Sequence, residues 1–360
     1  MYTILVTGGL GYIGAHIAFE LLQQDYHVVI ADNLSNCNRD KLDKLMALMK
    51  IHGISKTKLS FYNIDVCHYD SVLNMFMIHN IDLVIHLAGY KAVGESVKNP
   101  LKYYNNNLLS TITLLNVMKL KYVRCRNFIF SSSATVYGKS DPPYKESAQI
   151  NDNDITNPYG KTKYMQERIL EDVCKSNPRW NIISLRYFNP IGHAFEELRE
   201  DTKNIPNNLF PYIYKVHTGE LPQLTIFGDD YDTPDGTCIR DYIHVADLAN
   251  AHCVACKHIL KSVTEMTCMK ANRNVDINVD VDVDKGIGYK IYNVGTGKGT
   301  SVLDLLKYFN KANNTEIPYI ISDRRSGDIA RSFADVSLIY EELGWKATHC
   351  LIDACRCQIT

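Results

Sequence analysis

Tyr159 and Lys163 stand four residues apart, directly after Pro158. That spacing sets two side chains one turn apart on the same face of a helix. The chemistry open to such a pair is proton transfer. A free tyrosine has a pKa of about 10 and is a poor base at pH 7. Bringing it to about 7 takes roughly 4 kcal/mol of preference for the phenolate, at ~1.4 kcal/mol per unit. One cation about 5 Å away, at an effective dielectric of ~20, supplies on the order of 3 kcal/mol. Lys163 together with a second positive charge is therefore expected to suffice. Ser133, at the end of an apolar run that starts at Asn127, offers a hydroxyl to the same spot. The Tyr/Lys spacing is common on helix surfaces, so its meaning depends on the elements that position it.

Those elements begin at the N-terminus. Residues 2–6 form a short β-branched and apolar run that ends in Thr7-Gly-Gly-Leu-Gly-Tyr-Ile-Gly14, after which Ile13, Ile17 and Leu21 recur every four residues. A strand that runs into glycines and then into a helix is the dinucleotide-binding arrangement. Gly8 and Gly11 let the backbone approach a pyrophosphate, and Gly14 lets the helix pack tightly on the sheet. The pyrophosphate then meets free N–H groups at the helix N-terminus. Residues 27–31 read as a second strand ending at Asp32, about twenty residues on, where an acid bonds the adenosine ribose. A carboxylate there repels a 2′-phosphate, so NAD is expected over NADP, and oxidised nicotinamide becomes the second cation near Tyr159. A merely structural glycine turn leaves Asp32 unexplained.

Asn33 and Asn36 follow in a loop expected to reach the same ribose. Residues 59–64 read as a third strand ending at Asp65, a candidate for the adenine amino group. Residues 82–89 read as a fourth, with Lys91 just past its C-terminal end, where ligands of open α/β sheets bind. Residues 103–121 predict a long amphipathic helix, 127–131 the start of a fifth strand and 180–187 a sixth. Strand and helix alternate with short connections, so the fold class is α/β, a doubly wound parallel sheet.

Beyond Asn189 the rhythm breaks, and loops rich in Pro, Asn, Asp and Gly suit a smaller domain closing over a ligand. Residues 289–295 read as a strand returning to the main sheet. The organisation expected is residues 1–188 plus that strand, with a discontinuous second domain over 189–360. Arg324-Arg-Ser-Gly-Asp328 is a late cluster fit for phosphate and ribose. Residues 275–284 alternate Asp or Asn with apolar residues. Against a calcium loop, Gly286 comes one place late and Ile291 stands where the bidentate glutamate belongs. Residues 262–288 read as an acidic low-complexity insertion in a surface loop.

With 46% hydrophobic residues among 360, the chain can bury a substantial core. Its 39 basic and 40 acidic residues leave a net charge of −1, so no excess charge points to nucleic acid or to a membrane surface. No apolar run is long enough to span a bilayer, and the first residues carry no charged leader. Eleven cysteines are scattered without zinc spacing, so they read as free thiols in a cytoplasmic protein with no metal site.

Taken together, the glycine motif, Asp32-Asn33, Ser131-Ser-Ser-Ala-Thr-Val-Tyr-Gly138, Tyr159-x-x-x-Lys163 and Arg186-Tyr-Phe-Asn-Pro190 resemble the UDP-glucose 4-epimerases of the extended short-chain dehydrogenase/reductase family. Lys91-Ala-Val-Gly-Glu-Ser96, Ile205-Pro-Asn-Asn208, Arg240-Asp-Tyr-Ile-His244 and Arg325-x-x-Asp328 extend the likeness over nearly the whole chain. The resemblance implies an isomerase of galactose metabolism that moves a hydride from sugar C4 to tightly bound NAD and returns it to the other face. Tyr159 would take the 4-hydroxyl proton, Ser133 relay or orient it, and Lys163 lower the phenol pKa. The cofactor would meet Gly8, Gly11, Tyr12, Ile13, Gly14, Asp32, Asn33, Asn36, Asp65, Val66, Leu87, Lys91, Asn106 and Tyr187. The UDP-sugar would meet Asn189, Asn208, Leu209, Phe227, Arg240, Arg325, Asp328 and Ser332. The resemblance also implies a homodimer, through helices around 103–121 and 160–176. Hexose-only members carry a bulky tyrosine where Ser332 stands, so room for an N-acetyl group at C2 is expected here. A 4,6-dehydratase or decarboxylase of the same fold would need an extra acid and base after the strand-end serine. Ala134 and Thr135 stand there instead. A non-catalytic NAD-binding sensor has no use for Tyr159, Lys163 and Ser133 together.

Overall fold

A computed structural model describes residues 1–200, 208–271, 286–325 and 327–357. The first half alternates strands and helices: β1 (Thr3–Thr7), α1 (Tyr12–Gln23), β2 (His27–Ala31), α2 (Asp40–Ile51), β3 (Leu59–Tyr62), α3 (Tyr69–Ile78), β4 (Leu83–His86), α4 (Val93–Lys98), α5 (Pro100–Tyr103), α6 (Leu109–Met118), β5 (Asn127–Ser133), α7 (Pro158–Ser176) and β6 (Asn181–Tyr187). The second half has shorter pieces: β7 (Asn189–Ile191), α8 (Leu209–His217), β8 (Leu224–Phe227), β9 (Ile239–Arg240), β10 (Tyr242–His244), then the long α9 (Val245–Ala271) and β11 (Gly288–Val294). It closes with β12 (Thr300–Ser301), α10 (Val302–Asn313), β13 (Tyr319–Ser322), β14 (Arg331–Ser332), α11 (Ser337–Leu343) and α12 (Leu351–Cys355).

The main sheet has seven strands in the order β11-β6-β5-β4-β1-β2-β3. All its pairings are parallel. Every residue of β5 and β6 is buried, as a sheet covered on both faces requires. Side chains alternate across the strands: Ile4 and Val6 join a cluster with Ile17 and Leu248, while Leu5 joins one with Val72, Leu114 and Leu170. Each such side chain stabilises the fold by roughly 1.5–3 kcal/mol. A separate cluster of Ile213, Leu224, Leu305 and Phe309 supports the second half. The chain runs outward from β1 to β3, then crosses back to place β4 on the other side of β1. This reversal opens a crevice at the C-terminal ends of β1 and β4. The strand expected to return near 289 is β11, paired with β6 from Gly288–Asn181 to Val294–Tyr187.

Two expectations need correction. The helix read over 103–121 starts at Pro100, ends at Met118 and contains a π-turn over Tyr104–Leu108. A π-turn carries no residue type of its own, so the sequence does not mark it. The insertion read from 262 begins later, because α9 continues to Ala271. Residues 262–265 stay on the helix, where Thr264 Oγ1 donates to Leu260 O at 2.9 Å. The acidic segment 275–284, like residues 205–207, lies outside the described residues.

Candidate active site

The turn from β1 into α1 is built to sit close to something. Gly8 has φ +66°, and a Cβ on it would lie 3.0 Å from Ala88 N across the crevice. A Cβ on Gly14 would lie 2.3 Å from Gly8 O, so only glycine closes this turn. Gly11 caps α1 without a side-chain bond, and the first turn holds no acidic residue. The turn's N–H groups and the helix dipole therefore favour an anion. Asp32, buried at the end of β2, accepts from Leu10 N at 3.1 Å and Leu34 N at 2.9 Å, bracing the glycine loop from behind. Asp65 accepts from Asn33 Nδ2 at 3.1 Å and Cys67 N at 2.8 Å. A glycine cradle, an uncapped helix end and an acid at the second strand fit a dinucleotide such as NAD.

The residues expected to transfer a proton come from the neighbouring strand and helix. Asn157 Oδ1 accepts from Gly160 N at 2.8 Å, and Pro158 takes the first helical position, which fixes where α7 begins. Tyr159 and Lys163 thereby sit at its head. The Lys163 ammonium donates to Ser131 O at 2.6 Å and Ser131 Oγ at 3.3 Å, and lies 6.0 Å from the centre of the Tyr159 ring. Ser133 Oγ accepts from Thr135 N at 3.2 Å and Thr135 Oγ1 at 2.9 Å, so its own proton is available to the Tyr159 oxygen.

The electrostatics differ from the sequence arithmetic. Burial raises the Tyr159 phenol above its usual value, and the Ser133 bond and the Lys91 charge pull it back. Burial also pushes the Lys163 ammonium down to about 7, opposed by Glu167. The expected acidification by Lys163 counted Coulomb attraction and left out desolvation, which acts against both charged forms.

The two sites share one cleft of about 1060 Å³. It is lined by Gly8, Gly11, Tyr12, Ile13 and Gly14 from the turn, and by Asp32, Asn33, Asn36, Asp65, Val66, Leu87 and Lys91 from the strand ends. Asn106, Ser133, Tyr159, Lys163, Tyr187 and Asn189 deepen it, and Asn208, Arg240, Arg325, Asp328 and Ser332 form its far wall. Leu209 and Phe227 do not line it. Leu209 opens α8 and packs on the Ile213 cluster, and Phe227 ends β8, 39% exposed beneath the Arg325 guanidinium. Arg325 directs its fork at Asp328, with bonds of 3.1 and 2.9 Å, and Arg240 donates to Ile239 O and Ile329 O. The Tyr187 hydroxyl donates to His252 Nε2 at 2.5 Å, because His252 Nδ1 bonds Leu248 O. Sequence reasoning missed Ser131, which holds the ammonium, and Glu200, which pairs with Lys91 at 2.9 Å across the cleft. The serine run was visible, but nothing in sequence ties Glu200 to a lysine so far away. No three His, Cys, Asp or Glu side chains among the described residues could hold a metal, and no helix among them is long and apolar enough to cross a membrane.

The family model described as "NAD dependent epimerase/dehydratase family" matches residues 4–266. The chain is 45% identical over 357 residues to UDP-glucose 4-epimerase of Dictyostelium discoideum, covering 98% of this chain and 93% of that one. It is also similar to the crystal structure of UDP-glucose 4-epimerase from Bifidobacterium longum in complex with NAD+ and UDP. That likeness has a TM-score of 0.85 and 45% identity, over 98% of this chain and 96% of that one. The Stenotrophomonas maltophila enzyme with bound NAD and formylated UDP-arabinopyranose gives a TM-score of 0.85 at 40% identity, covering 99% and 96% of the two chains.

Proposed function

The chain belongs to the NAD dependent epimerase/dehydratase family, and from that premise we propose that it interconverts UDP-galactose and UDP-glucose with NAD as its resident cofactor. The observation that carries this reading is 45% identity to a UDP-glucose 4-epimerase over nearly the full length, in a chain whose Ser133, Tyr159 and Lys163 meet in one cleft. The Gly8–Gly14 turn, Asp32, Asn33, Asp65, Lys91, Asn106 and Tyr187 hold NAD. NAD, when bound, supplies the acceptance and return of hydride at sugar C4. Tyr159 removes and restores the proton of the 4-hydroxyl, Ser133 orients that proton, and Lys163 keeps a positive charge beside the phenol. Arg240 and Arg325 neutralise the diphosphate, which suits the fork geometry of guanidinium. Asp328 bonds the uridine ribose, while Asn189 and Asn208 steady the sugar. Residues 1–188 with β11 form the cofactor-binding part, and the rest forms the nucleotide-sugar part.

The test is conversion of UDP-galactose to UDP-glucose, with absorbance at the NADH band followed in parallel. Interconversion without net NADH is expected, and Tyr159→Phe should cut it at least ~100-fold while NAD stays bound. A stable keto sugar as product would mean a dehydratase, and no product at all a sensor.

Ser332, on β14 opposite Arg240 in register, puts a small side chain on the cleft wall. Room for a C2 N-acetyl group follows, so UDP-N-acetylglucosamine and its galacto epimer are substrates too. Ser332→Tyr should abolish turnover of the acetylated pair and spare UDP-galactose; an unchanged rate on the acetylated pair rejects this reading. The enzyme is also a homodimer. Val97, Leu101, Leu109, Ile112 and Met165 are exposed on α4 to α7, an apolar face that a second copy covers. The balanced charge, and cysteines scattered along the sequence without zinc spacing, favour the cytoplasm.

A further inference from the structure

Glu167 lies one helical turn beyond Lys163 on α7 and is buried, as is Arg186 on β6. Its Oε1 accepts from Ser132 Oγ at 2.5 Å and Arg186 Nε at 2.9 Å, and its Oε2 from Arg186 Nη2 at 2.7 Å. The guanidinium lies 4.7 Å from the centre of the Tyr137 ring. Three consecutive serines of β5 thus meet three residues of α7: Ser133 with Tyr159, Ser131 with Lys163, Ser132 with Glu167.

Stability alone does not account for this cluster. A buried ion pair often holds a fold no better than apolar residues of the same volume, because both charges must be desolvated. The pair does supply two things that leucine or methionine would not: a fixed helix register, through directional bonds, and a negative charge near a buried ammonium. We infer that Glu167 is a positioning residue for the proton transfer. Through Ser132 and Arg186 it locks α7 where Tyr159 meets Ser133, and its carboxylate is the anion that keeps the Lys163 ammonium charged.

The surroundings of Lys163 leave that task to Glu167. On β4, His86 is buried and its pKa is pushed down to about 3, so it stays neutral. Burial raises the phenol pKa of Tyr187 on β6, Tyr159 on α7 and Tyr289 on β11, so none of these supplies a resting anion before NAD is bound. From β5 come the Ser131 oxygens and the Phe130 ring, 4.8 Å from the ammonium. Arg186 faces Glu167, and among the described residues it is the Glu167 charge that opposes the desolvation of Lys163.

This inference rests on the roles proposed for Tyr159 and Lys163, so its test needs a readout other than turnover. NMR of the holoenzyme carrying 13C-labelled lysine, with Lys163 assigned through Lys163→Met, reports its titration directly. Two variants are compared: Glu167→Gln, which keeps shape, and the apolar triple Ser132→Ala/Glu167→Met/Arg186→Met. In both, Lys163 should lose its proton at least about one pH unit lower than in wild type. The alkaline limb of the pH–rate profile should move with it, and the triple variant should keep its melting temperature. If the triple does not fold, Glu167→Gln alone decides. A Lys163 that titrates as in wild type overturns the inference, whatever happens to the rate. Absent UDP-galactose turnover in wild type would instead sink the proposed reaction, while the titration still rules on Glu167.

Discussion

Lys163 enters folding with an ordinary lysine pKa of about 10.4 and ends in a site where burial brings it to about 7. Between those values the unfolded chain holds one proton more than the native one, so native stability rises with pH across that window. Below it both states are charged, and the native state bears the full cost of burying the ammonium. Lys163→Met removes this contribution. The melting temperature of wild type minus that of the variant should therefore increase as pH is raised from about 7 to 10. Calorimetry showing a flat difference would mean that Lys163 titrates like a surface lysine. The same substitution should move the acid limb of the pH–rate profile upward, because the phenol loses a neighbouring cation. The Tyr159/Lys163 pairing was legible from spacing and a proline. The sign of the Tyr159 shift was not, because desolvation depends on what covers a residue, and the covering groups come from β5, β6 and Lys91. Glu167 was hidden for a related reason. An acid four residues after a lysine reads as one more exposed helix pair until β6 brings Arg186 against it.

At the scale of elements, the β1–α1 turn is where packing and binding coincide. Any side chain on Gly14 collides with the Gly8 carbonyl, which is backbone and cannot swing aside. Overpacking of this kind costs typically 1–3 kcal/mol. Gly14→Ala should hence bind NAD about 10-fold more weakly or worse, measured by titrating cofactor into stripped protein, and unaltered affinity would show that the turn is slack. The strands were legible because sheets covered on both faces leave continuous runs of Val, Ile and Leu, as in β2 and β4. The glycines were legible because their spacing has a steric cause. What escaped was local geometry without a compositional mark. The π-turn at Tyr104–Leu108 is such a case: in it Asn107 Oδ1 accepts from Tyr90 N at 2.9 Å and Asn106 borders the cleft. The C-terminal turns of α9 escaped because their polar residues run into the biased segment with no break in composition.

The whole molecule brings together residues that lie far apart in the chain. Asp241, on the link between β9 and β10, accepts from Thr296 N and Oγ1 and from Gly297 N and Ala334 N, and so ties the loop after β11 to the segment just past β14. The exposed Val97, Leu101, Leu109 and Ile112 belong to this scale as well. Leu109→Glu together with Ile112→Glu should convert a sedimenting dimer to monomer; if the mass of the unaltered chain is already that of one copy at micromolar concentration, the face has another use. The placement of β11 carries a practical consequence. It supplies the outer edge of the main sheet, seven residues beside β6, from a point a hundred residues downstream. A gene fragment ending near residue 188 would express a sheet whose last strand offers bare N–H and C=O groups to any neighbour, the situation that leads to precipitation. Anyone dividing this enzyme into halves for complementation or sensor design must therefore graft the 288–294 ribbon onto the upstream piece.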